Sequence, residues 1–350
     1  MHNLKWISLF WIWGILFFVT AACQNTPDRS NSIVTRAPTV QIEQPQSFTP
    51  FPTIVMVEEV SAPTIPAQPS MVPSTITTVI EVSRSPVPTI SHSPSKTPIS
   101  LFVDHYLLSR PILQEEGYTH WIDRTYPYGG TQLGTREVHL GVEFVNGRFT
   151  SVLATADGIV FYAGSDENVQ FGPFTGYYGN LVVIQHPFLS PDGYPVFTLY
   201  AHLQDMLVTR GEHINEGQPI GRVGDSGIAV GPHLHFEVRV GDVFDYHQTR
   251  NPDLWITPYS RYGTLAGYVA RGDSLENIVI QVRSENYQRE TAPYSGEMVN
   301  SDPVWNENFT IGDLPIGEYT VLIGNGAGRV LYRDSVVIQS GITTFLQVNP

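Results

Sequence analysis

Hydrophobic and polar positions alternate most clearly in residues 231–238, which have the sequence GPHLHFEV. Successive side chains of a β-strand point to opposite faces, so the apolar residues of this segment would share one face. His233, His235 and Glu237 would share the other, where the two imidazoles stand about 6.6 Å apart along the backbone. The pattern predicts a strand with one face in a core. The opposite face either binds a metal and moves protons or is simply polar.

A second alternating segment covers residues 196–202. Its apolar residues are expected to face a core, whereas Thr198, Tyr200 and His202 are expected to face away from it. His202 would therefore end a half-buried strand on its polar side. A cleft residue would lie in such a place, and so would an ordinary surface histidine.

Short apolar segments separated by turn residues continue along the chain after residue 150. Dense glycines and little helical periodicity between them indicate a mainly β protein, and the segments after residue 264 have the signature of a small sandwich. The further strands are predicted at residues 151–163, 179–186, 264–270, 278–282, 309–311, 319–323, 330–338 and 343–348.

The first 23 residues predict export. Lys5 precedes an apolar run, residues 6–22, that ends in small residues, as a secretory signal peptide does. Cys23 follows directly and is the only cysteine, so an intrachain disulfide is excluded. The position of Cys23 resembles the lipobox of bacterial lipoproteins, which implies a lipidated N terminus attached to a lipid bilayer. An uncleaved membrane anchor and plain secretion are the alternatives.

Residues 24–100 contain 13 of the 27 prolines, no glycine, and only Phe48 and Phe51 as aromatic residues. Such a segment cannot build a core, so we expect a disordered, semi-rigid tether. The chain is accordingly divided into four predicted parts: a signal peptide at 1–22, a linker at 23–100, a main domain at 101–260 and an accessory β-sandwich at 261–350.

The charge of the chain argues against one class of partner. The sequence has 19 lysines and arginines against 33 aspartates and glutamates, which gives a formal net charge of −14. Nucleic-acid binding needs a basic surface. No nucleic-acid partner is therefore expected.

A second group of candidate ligands lies in residues 136–144, which have the sequence REVHLGVEF. His139 and Glu143 are four positions apart, which corresponds to about 13 Å in a straight strand. A shared metal would need a bend, which Gly141 permits. Imidazole and carboxylate are both ordinary zinc ligands, although the same spacing is also common on protein surfaces.

Six blocks of sequence between residues 136 and 252 form an ordered and specific series. The series resembles that of the lysostaphin and LytM-type zinc metalloendopeptidases, which cut peptide cross-links of bacterial peptidoglycan. The resemblance implies a largely antiparallel β-sheet whose face forms a narrow groove, and it implies a zinc cofactor. The blocks are REVHLGVEF, TADGIV, YGNLVVIQH, LYAHL, GQPIGRVGDSG and GPHLHFEV.

The resemblance also implies roles for individual residues. The zinc ligands of the family correspond to His139, Glu143 and His235. The family's catalytic histidines, which do not bind the metal, correspond to His202 and His233. The acidic ligand of the family is normally aspartate, so Glu143 departs from the pattern by one methylene.

Glu237 lies on the same predicted strand face as His235. Its carboxylate would either orient that ligand from behind the metal or be a solvated edge residue. The remaining histidines of the folded part match no block and are expected to be structural or surface residues: His105, His120, His186, His213 and His247.

The implied function is hydrolysis of peptide cross-links in peptidoglycan by an exported zinc metalloendopeptidase with a zinc-activated water. Its partners would be peptidoglycan peptide stems, and it would be lipid-anchored or otherwise associated with the cell envelope. One alternative is a catalytically silent module that activates a cell-wall amidase, and another is an exported peptidase that acts on proteins. Residues 261–350 resemble prealbumin-like or carboxypeptidase-regulatory-like β-sandwiches, for which a stabilising and a wall-binding role both stay open.

Overall fold

The computed structural model describes residues 103–132, 134–270, 277–296, 298–325 and 328–349, which all belong to one compact unit. The predicted signal peptide, Cys23 and the predicted linker lie outside the described residues. Within the described ranges, no helix has the length and apolar character needed to cross a bilayer.

Strands make up nearly all of the regular structure. The described residues form seventeen strands and one 3₁₀-helix at Pro252–Leu254, which confirms the prediction of a mainly β protein. The strands are β1 (Val142–Phe144), β2 (Ser151–Leu153), β3 (Gly158–Ser165), β4 (Asn180–Leu189), β5 (Pro195–Ala201), β6 (Leu203–Met206), β7 (His213–Ile214), β8 (Pro219–Val223), β9 (Leu234–Val240), β10 (Thr249–Arg250), β11 (Tyr262–Val269), β12 (Ile278–Arg283), β13 (Gln288–Thr291), β14 (Phe309–Pro315), β15 (Gly317–Asn325), β16 (Val330–Ile338) and β17 (Thr343–Val348).

Strands β1 to β10 form the first part of the fold. The main sheet has the order β1-β9-β5-β4-β3-β7, β10 also pairs with β9, and a smaller sheet has the order β2-β8-β6. Every pairing in these two sheets is antiparallel, as the resemblance implies. One buried apolar core takes side chains from both sheets, so the sheets pack on each other.

β9 has the predicted alternation. Leu234 and Phe236 are fully buried members of the apolar core. His235 and Glu237 alternate with them and therefore lie on the opposite face of the strand. His233 lies one residue before β9 and forms an isolated β-bridge with Gly224, the residue after β8.

β5 differs from its prediction. Thr198 and Tyr200 are fully buried, so the strand is not half-buried. β5 lies between β4 and β9, and both of its faces are covered. The ring of Tyr200 packs 5.3 Å from that of Phe236 in the main core, whereas Leu199 belongs to a second apolar cluster. His202 thus follows a strand that is buried on both faces.

Strands β11 to β17 form the C-terminal part. They make a three-stranded sheet of order β14-β11-β17 and a four-stranded sheet of order β13-β12-β15-β16. All pairings are antiparallel except the parallel pair β11 and β17. Both sheets contribute to one apolar core, which is the arrangement of a small sandwich. The likeness to the two named sandwich families stays a prediction.

The C-terminal part also contributes to the core of the first part. Tyr294 and Trp305 are buried there. Arg110 Nη2 lies 2.5 Å from Asp313 Oδ1 in a buried ion pair that joins residues far apart in the sequence. The two parts therefore stabilise each other, and the predicted boundary between residues 260 and 261 stays a prediction.

Candidate metal centre

His139 lies in the chain before β1, and its backbone is fixed by two hydrogen bonds. Its N–H donates to the Gly130 carbonyl at 2.9 Å, and its carbonyl accepts from the Gly129 N–H at 2.7 Å. The imidazole stacks on the Tyr126 ring with centroids 4.0 Å apart, and its Nδ1 lies 2.6 Å from the Tyr126 carbonyl oxygen. A carbonyl only accepts, so Nδ1 carries the proton and Nε2 presents a lone pair.

Strand pairing brings the other two predicted ligands to His139. Glu143 lies directly opposite His235 in the antiparallel pair of β1 and β9. His235 Nε2 lies 3.0 Å from a carboxylate oxygen of Glu237, so Nε2 carries the proton and Nδ1 presents the lone pair. His139 Nε2 lies 3.2 Å from His235 Nδ1 and 3.9 Å from Glu143 Oε1. Three donor atoms, one from each ligand candidate, lie within 4.8 Å of one another.

This donor set fits a divalent metal. The two nitrogens that face each other at 3.2 Å are both lone-pair atoms, so they repel each other unless a cation lies between them. Tetrahedral zinc with Zn–N bonds of about 2.0–2.1 Å places two ligand nitrogens about 3.3 Å apart. Burial and the neighbouring His235 lower the pKa of His139 well below its usual value, so His139 keeps its lone pair at neutral pH.

Gly141 is needed here for space. Its φ is not in the left-handed region. A Cβ at this position would lie 2.7 Å from Cε1 and Nε2 of His235 and 2.7 Å from the Phe236 carbonyl oxygen. A side chain at this position would therefore collide with the His235 ring and with the backbone of β9.

His202 follows β5 with a φ of 58°, in the left-handed region that residues other than glycine seldom adopt. Its N–H donates to the Tyr178 carbonyl at 3.0 Å, and its Nδ1 lies 2.8 Å from the Ser226 carbonyl oxygen. Its Nε2 is therefore the lone-pair atom. Burial, followed by the neighbouring His235 and His233, lowers the pKa of His202 to about 3. The side chain is neutral at physiological pH and able to accept a proton.

His233 lies beside His202, with ring centroids 4.8 Å apart. Its Nδ1 lies 3.0 Å from the Gly231 carbonyl oxygen, which leaves Nε2 as the lone-pair atom. That Nε2 lies 3.7 Å from Glu143 Oε1. The structure thus brings all five predicted site residues together, and each of the four imidazoles has one nitrogen fixed by an acceptor.

Glu237 is fully buried, so the alternative of a solvated edge residue is wrong. Arg239 Nε donates to Glu237 Oε2 at 2.7 Å, and the Tyr178 hydroxyl donates to Glu237 Oε1. Burial alone would raise the pKa of Glu237, but Arg239 and the hydrogen bond from His235 outweigh it and lower the pKa to about 2. The carboxylate therefore remains charged and keeps the proton of His235 on Nε2.

Tyr178 and Arg239 also belong to the site, although no motif predicted them. A signal for Arg239 exists, because the alternation of His235 and Glu237 continues to it at the same spacing. Tyr178 precedes β4 as the first residue of the block YGNLVVIQH, but the block assigned it no role, since Tyr178 reaches Glu237 only through the fold.

The five site residues line a cleft of about 780 Å³. Tyr126 and Tyr177 form part of its wall, and Arg136 is the one lysine or arginine among the described lining residues. The cleft also has apolar positions that are exposed to solvent: Val145, Ile228 and Val230. An extended chain with both polar and apolar groups would find matching contacts here.

The residues that line this cleft lie mostly in a stretch of sequence that matches a known protein family. Residues 137–251 match Peptidase family M23. This stretch of the chain is therefore an M23 peptidase domain, and it contains all five site residues.

Curated relatives match over the same region. DD-carboxypeptidase/endopeptidase Mpg of Neisseria meningitidis is 37% identical over 108 residues, which are 31% of this chain and 21% of that protein. Peptidoglycan DD-endopeptidase ShyC of Vibrio cholerae is 34% identical over 110 residues, 31% of this chain and 22% of that protein. Murein hydrolase activator NlpD of Escherichia coli is 34% identical over 112 residues, 32% of this chain and 24% of that protein. The chain thus spans about a fifth of the length of these relatives.

Solved structures match the same part of the chain. The catalytic domain of lysostaphin from Staphylococcus simulans is 30% identical, with 36% of this chain and 86% of that chain covered at a TM-score of 0.30. A zinc-containing peptidase from Vibrio cholerae is 29% identical, with 39% of this chain and 37% of that chain covered at a TM-score of 0.31.

Gly141→Ala is expected to lower zinc affinity about 10-fold or more, the scale for losing ligand orientation. The added methyl group would displace the His235 ring, which lies 2.7 Å from its position. Competition with a chelator measures the affinity. Gly147→Ala is the matched control, because no atom lies within 4 Å of a Cβ there. Equal affinity in the parent and in Gly141→Ala would contradict the steric argument.

Proposed function

We propose that this protein is an exported zinc metalloendopeptidase that hydrolyses peptide cross-links of bacterial peptidoglycan. The observation that carries the proposal is the convergence of five side chains in an M23 domain. Three of them offer donor atoms within 4.8 Å of one another, and two further imidazoles stand beside them on an open cleft.

His139, Glu143 and His235 would hold the zinc. The two histidines would bind through Nε2 and Nδ1, since their other nitrogens are engaged with acceptors. Three protein ligands leave one position open, as in catalytic rather than structural sites. Zinc bound there would lower the pKa of a water to about 7 and polarise the scissile carbonyl.

His202 and His233 would move the protons. Both present Nε2 as a lone pair, because Nδ1 of each is hydrogen-bonded to a backbone carbonyl. A neutral imidazole in this position can accept the proton of the attacking water and later donate it to the leaving amine. Burial and the neighbouring imidazoles lower the pKa of His202, so this side chain would begin the cycle unprotonated.

Peptide stems of peptidoglycan are the proposed substrate. Two relatives, ShyC and ShyA of Vibrio cholerae, are named peptidoglycan DD-endopeptidases. The cleft supports the same class of substrate, because tyrosine faces, one arginine and exposed apolar side chains line it.

A second candidate is a catalytically silent module that activates a cell-wall hydrolase. The match to murein hydrolase activator NlpD favours it, because this relative is as similar to the chain as the endopeptidases are. The substitution at the acidic ligand also favours the activator, since Glu143 stands where the family normally has aspartate. The convergent donor set favours the enzyme.

The proposed location is outside the cytoplasm, with a lipid anchor on Cys23 and residues 24–100 as a tether. The sequence supports this part of the proposal, since the apolar run and the lone cysteine resemble a lipoprotein signal. In the same proposal, residues 1–22 are the signal peptide, residues 101–260 the peptidase domain and residues 261–350 the accessory domain.

His202→Ala and His233→Ala are each expected to lower turnover of purified peptidoglycan by roughly 10²-fold or more, the usual effect of a positioned acid or base. Zinc should stay bound in both variants, because neither side chain is a proposed ligand. His213→Ala is the control, since this histidine is exposed on β7. Loss of zinc in His233→Ala together with its retention in His235→Ala would reverse the proposed roles.

Substitutions at Glu143 separate the enzyme from the activator. Glu143→Ala and Glu143→Gln should both lose most of the zinc, because the carboxylate supplies the only negative charge among the three proposed ligands. Glu143→Asp should also bind zinc less well than the parent, because a shorter side chain at a strand position fixed opposite His235 reaches less far. Zinc stoichiometry and release of wall peptides are measured for each variant. A parent without zinc, and a Glu143→Asp variant that gains both zinc and turnover, would favour the activator instead.

Cys23→Ser tests the proposed anchor. The variant should leave the membrane fraction or accumulate as an unprocessed precursor, since serine has no thiol for lipid attachment. Mass spectrometry of the mature N terminus shows whether it carries a lipid. A parent chain that begins near residue 23 without a lipid would contradict the anchor.

A further inference from the structure

The loop that carries His139 is supported by the C-terminal part of the chain. We call residues 126–139 the histidine loop, of which residue 133 lies outside the described ranges. Residues 294–296, the supporting segment, lie against both arms of this loop. The Ser295 N–H donates to the Gly129 carbonyl at 2.9 Å. On the other arm, a Cβ built on Gly296 would lie 3.3 Å from Cγ2 of Val138.

Tyr294 packs directly on the backbone of the histidine loop. Gly129 has a φ of +73°, and a Cβ there would lie 2.5 Å from Cδ1 of Tyr294. The tyrosine ring therefore occupies the space that a side chain at Gly129 would fill. Its ring also makes an edge contact with Tyr128, with centroids 5.4 Å apart.

The position of Tyr294 is fixed at its other end as well. The Tyr294 hydroxyl donates to Glu307 Oε1 at 2.8 Å and accepts from Asn251 Nδ2 at 2.9 Å. The Tyr294 N–H donates to the Asn308 carbonyl at 2.7 Å. All of these partners are buried, so the ring is held as a rigid support.

The route from Tyr294 to the metal site is short. The Gly129 N–H donates to the His139 carbonyl, and the His139 N–H donates to the Gly130 carbonyl. The Tyr126 carbonyl accepts from His139 Nδ1 and so directs Nε2 toward His235. Two backbone hydrogen bonds thus join His139 to Gly129 and Gly130. A shift of the backbone at Gly129 would therefore also move the His139 imidazole.

We propose that the supporting segment positions His139 for metal binding, with Tyr294 as the positioning residue. The inference rests on the proposed function, in which His139 is a zinc ligand. It gives the C-terminal part a role in the site, although residues 294–296 lie outside the stretch that matches the M23 family. Zinc affinity then depends on residues that do not touch the metal, whereas a purely structural tyrosine would change folding stability alone.

The test measures zinc affinity in the full chain by chelator competition, below the unfolding temperature of every variant. Tyr294→Ala should lower zinc affinity about 10-fold or more, since removing orienting partners of ligands has effects of this size. Tyr294→Phe should restore affinity close to that of the parent, because the ring still packs on Gly129. Tyr319→Ala is the matched control, because Tyr319 is a buried tyrosine of the separate C-terminal core. It should lower stability and leave zinc affinity unchanged.

A second pair of variants avoids the core, so it remains informative if Tyr294→Ala fails to fold. Ser295→Pro removes the N–H that donates to Gly129, whereas Ser295→Ala keeps it. Zinc affinity should fall in the first and stay at the parent value in the second. Parent-like affinity in both Tyr294→Ala and Ser295→Pro would overturn the inference, and so would an equal loss in Tyr319→Ala. Absence of zinc in the parent would instead overturn the proposed function on which the inference rests.

Discussion

The register between β1 and β9 is the constraint on which the site depends. Antiparallel pairing places Glu143 opposite His235, and β5 places Ala201, the residue before His202, opposite His235 on the other side. Because side chains alternate, a slip of one residue in β9 would send His235 into the core and an apolar side chain into the cleft. The apolar face of β9 therefore fixes the register that assembles the ligands.

Gathering polar groups inside a β protein costs free energy, and hydrogen bonds offset the cost. A buried charge without a partner costs several kcal/mol, but the fully buried Glu237 is paired with Arg239 and receives the proton of His235. His202 adopts a strained φ and is held there by hydrogen bonds to backbone carbonyls. The orientation of the imidazoles is thus set by the protein itself, which is the condition for a rigid metal site.

The stretch of sequence that matches the family is shorter than the unit that packs around one apolar core. The M23 match ends at residue 251, yet the core of the first part includes Tyr294 and Trp305, which lie between β13 and β14. A buried ion pair between Arg110 and Asp313 joins the segments that precede and follow the matched residues. The stability of residues 137–251 therefore depends on segments that lie outside the family match.

Features that repeat locally follow from the amino-acid sequence alone. The alternation of apolar and polar side chains in β9 follows from the two-residue period of a β-strand. Strands β16 and β17 likewise lie at the predicted residues 330–338 and 343–348. Ordered motif blocks also predicted the five residues that the fold brings together at the cleft. Other features follow from the three-dimensional packing: β5 is buried on both faces, the predicted strand 151–163 is two strands, and the His235 ring approaches Gly141 too closely for a side chain there. Those features depend on which distant segments pack against each other. The alternation of side chains within one strand carries no information about the segments that pack on it.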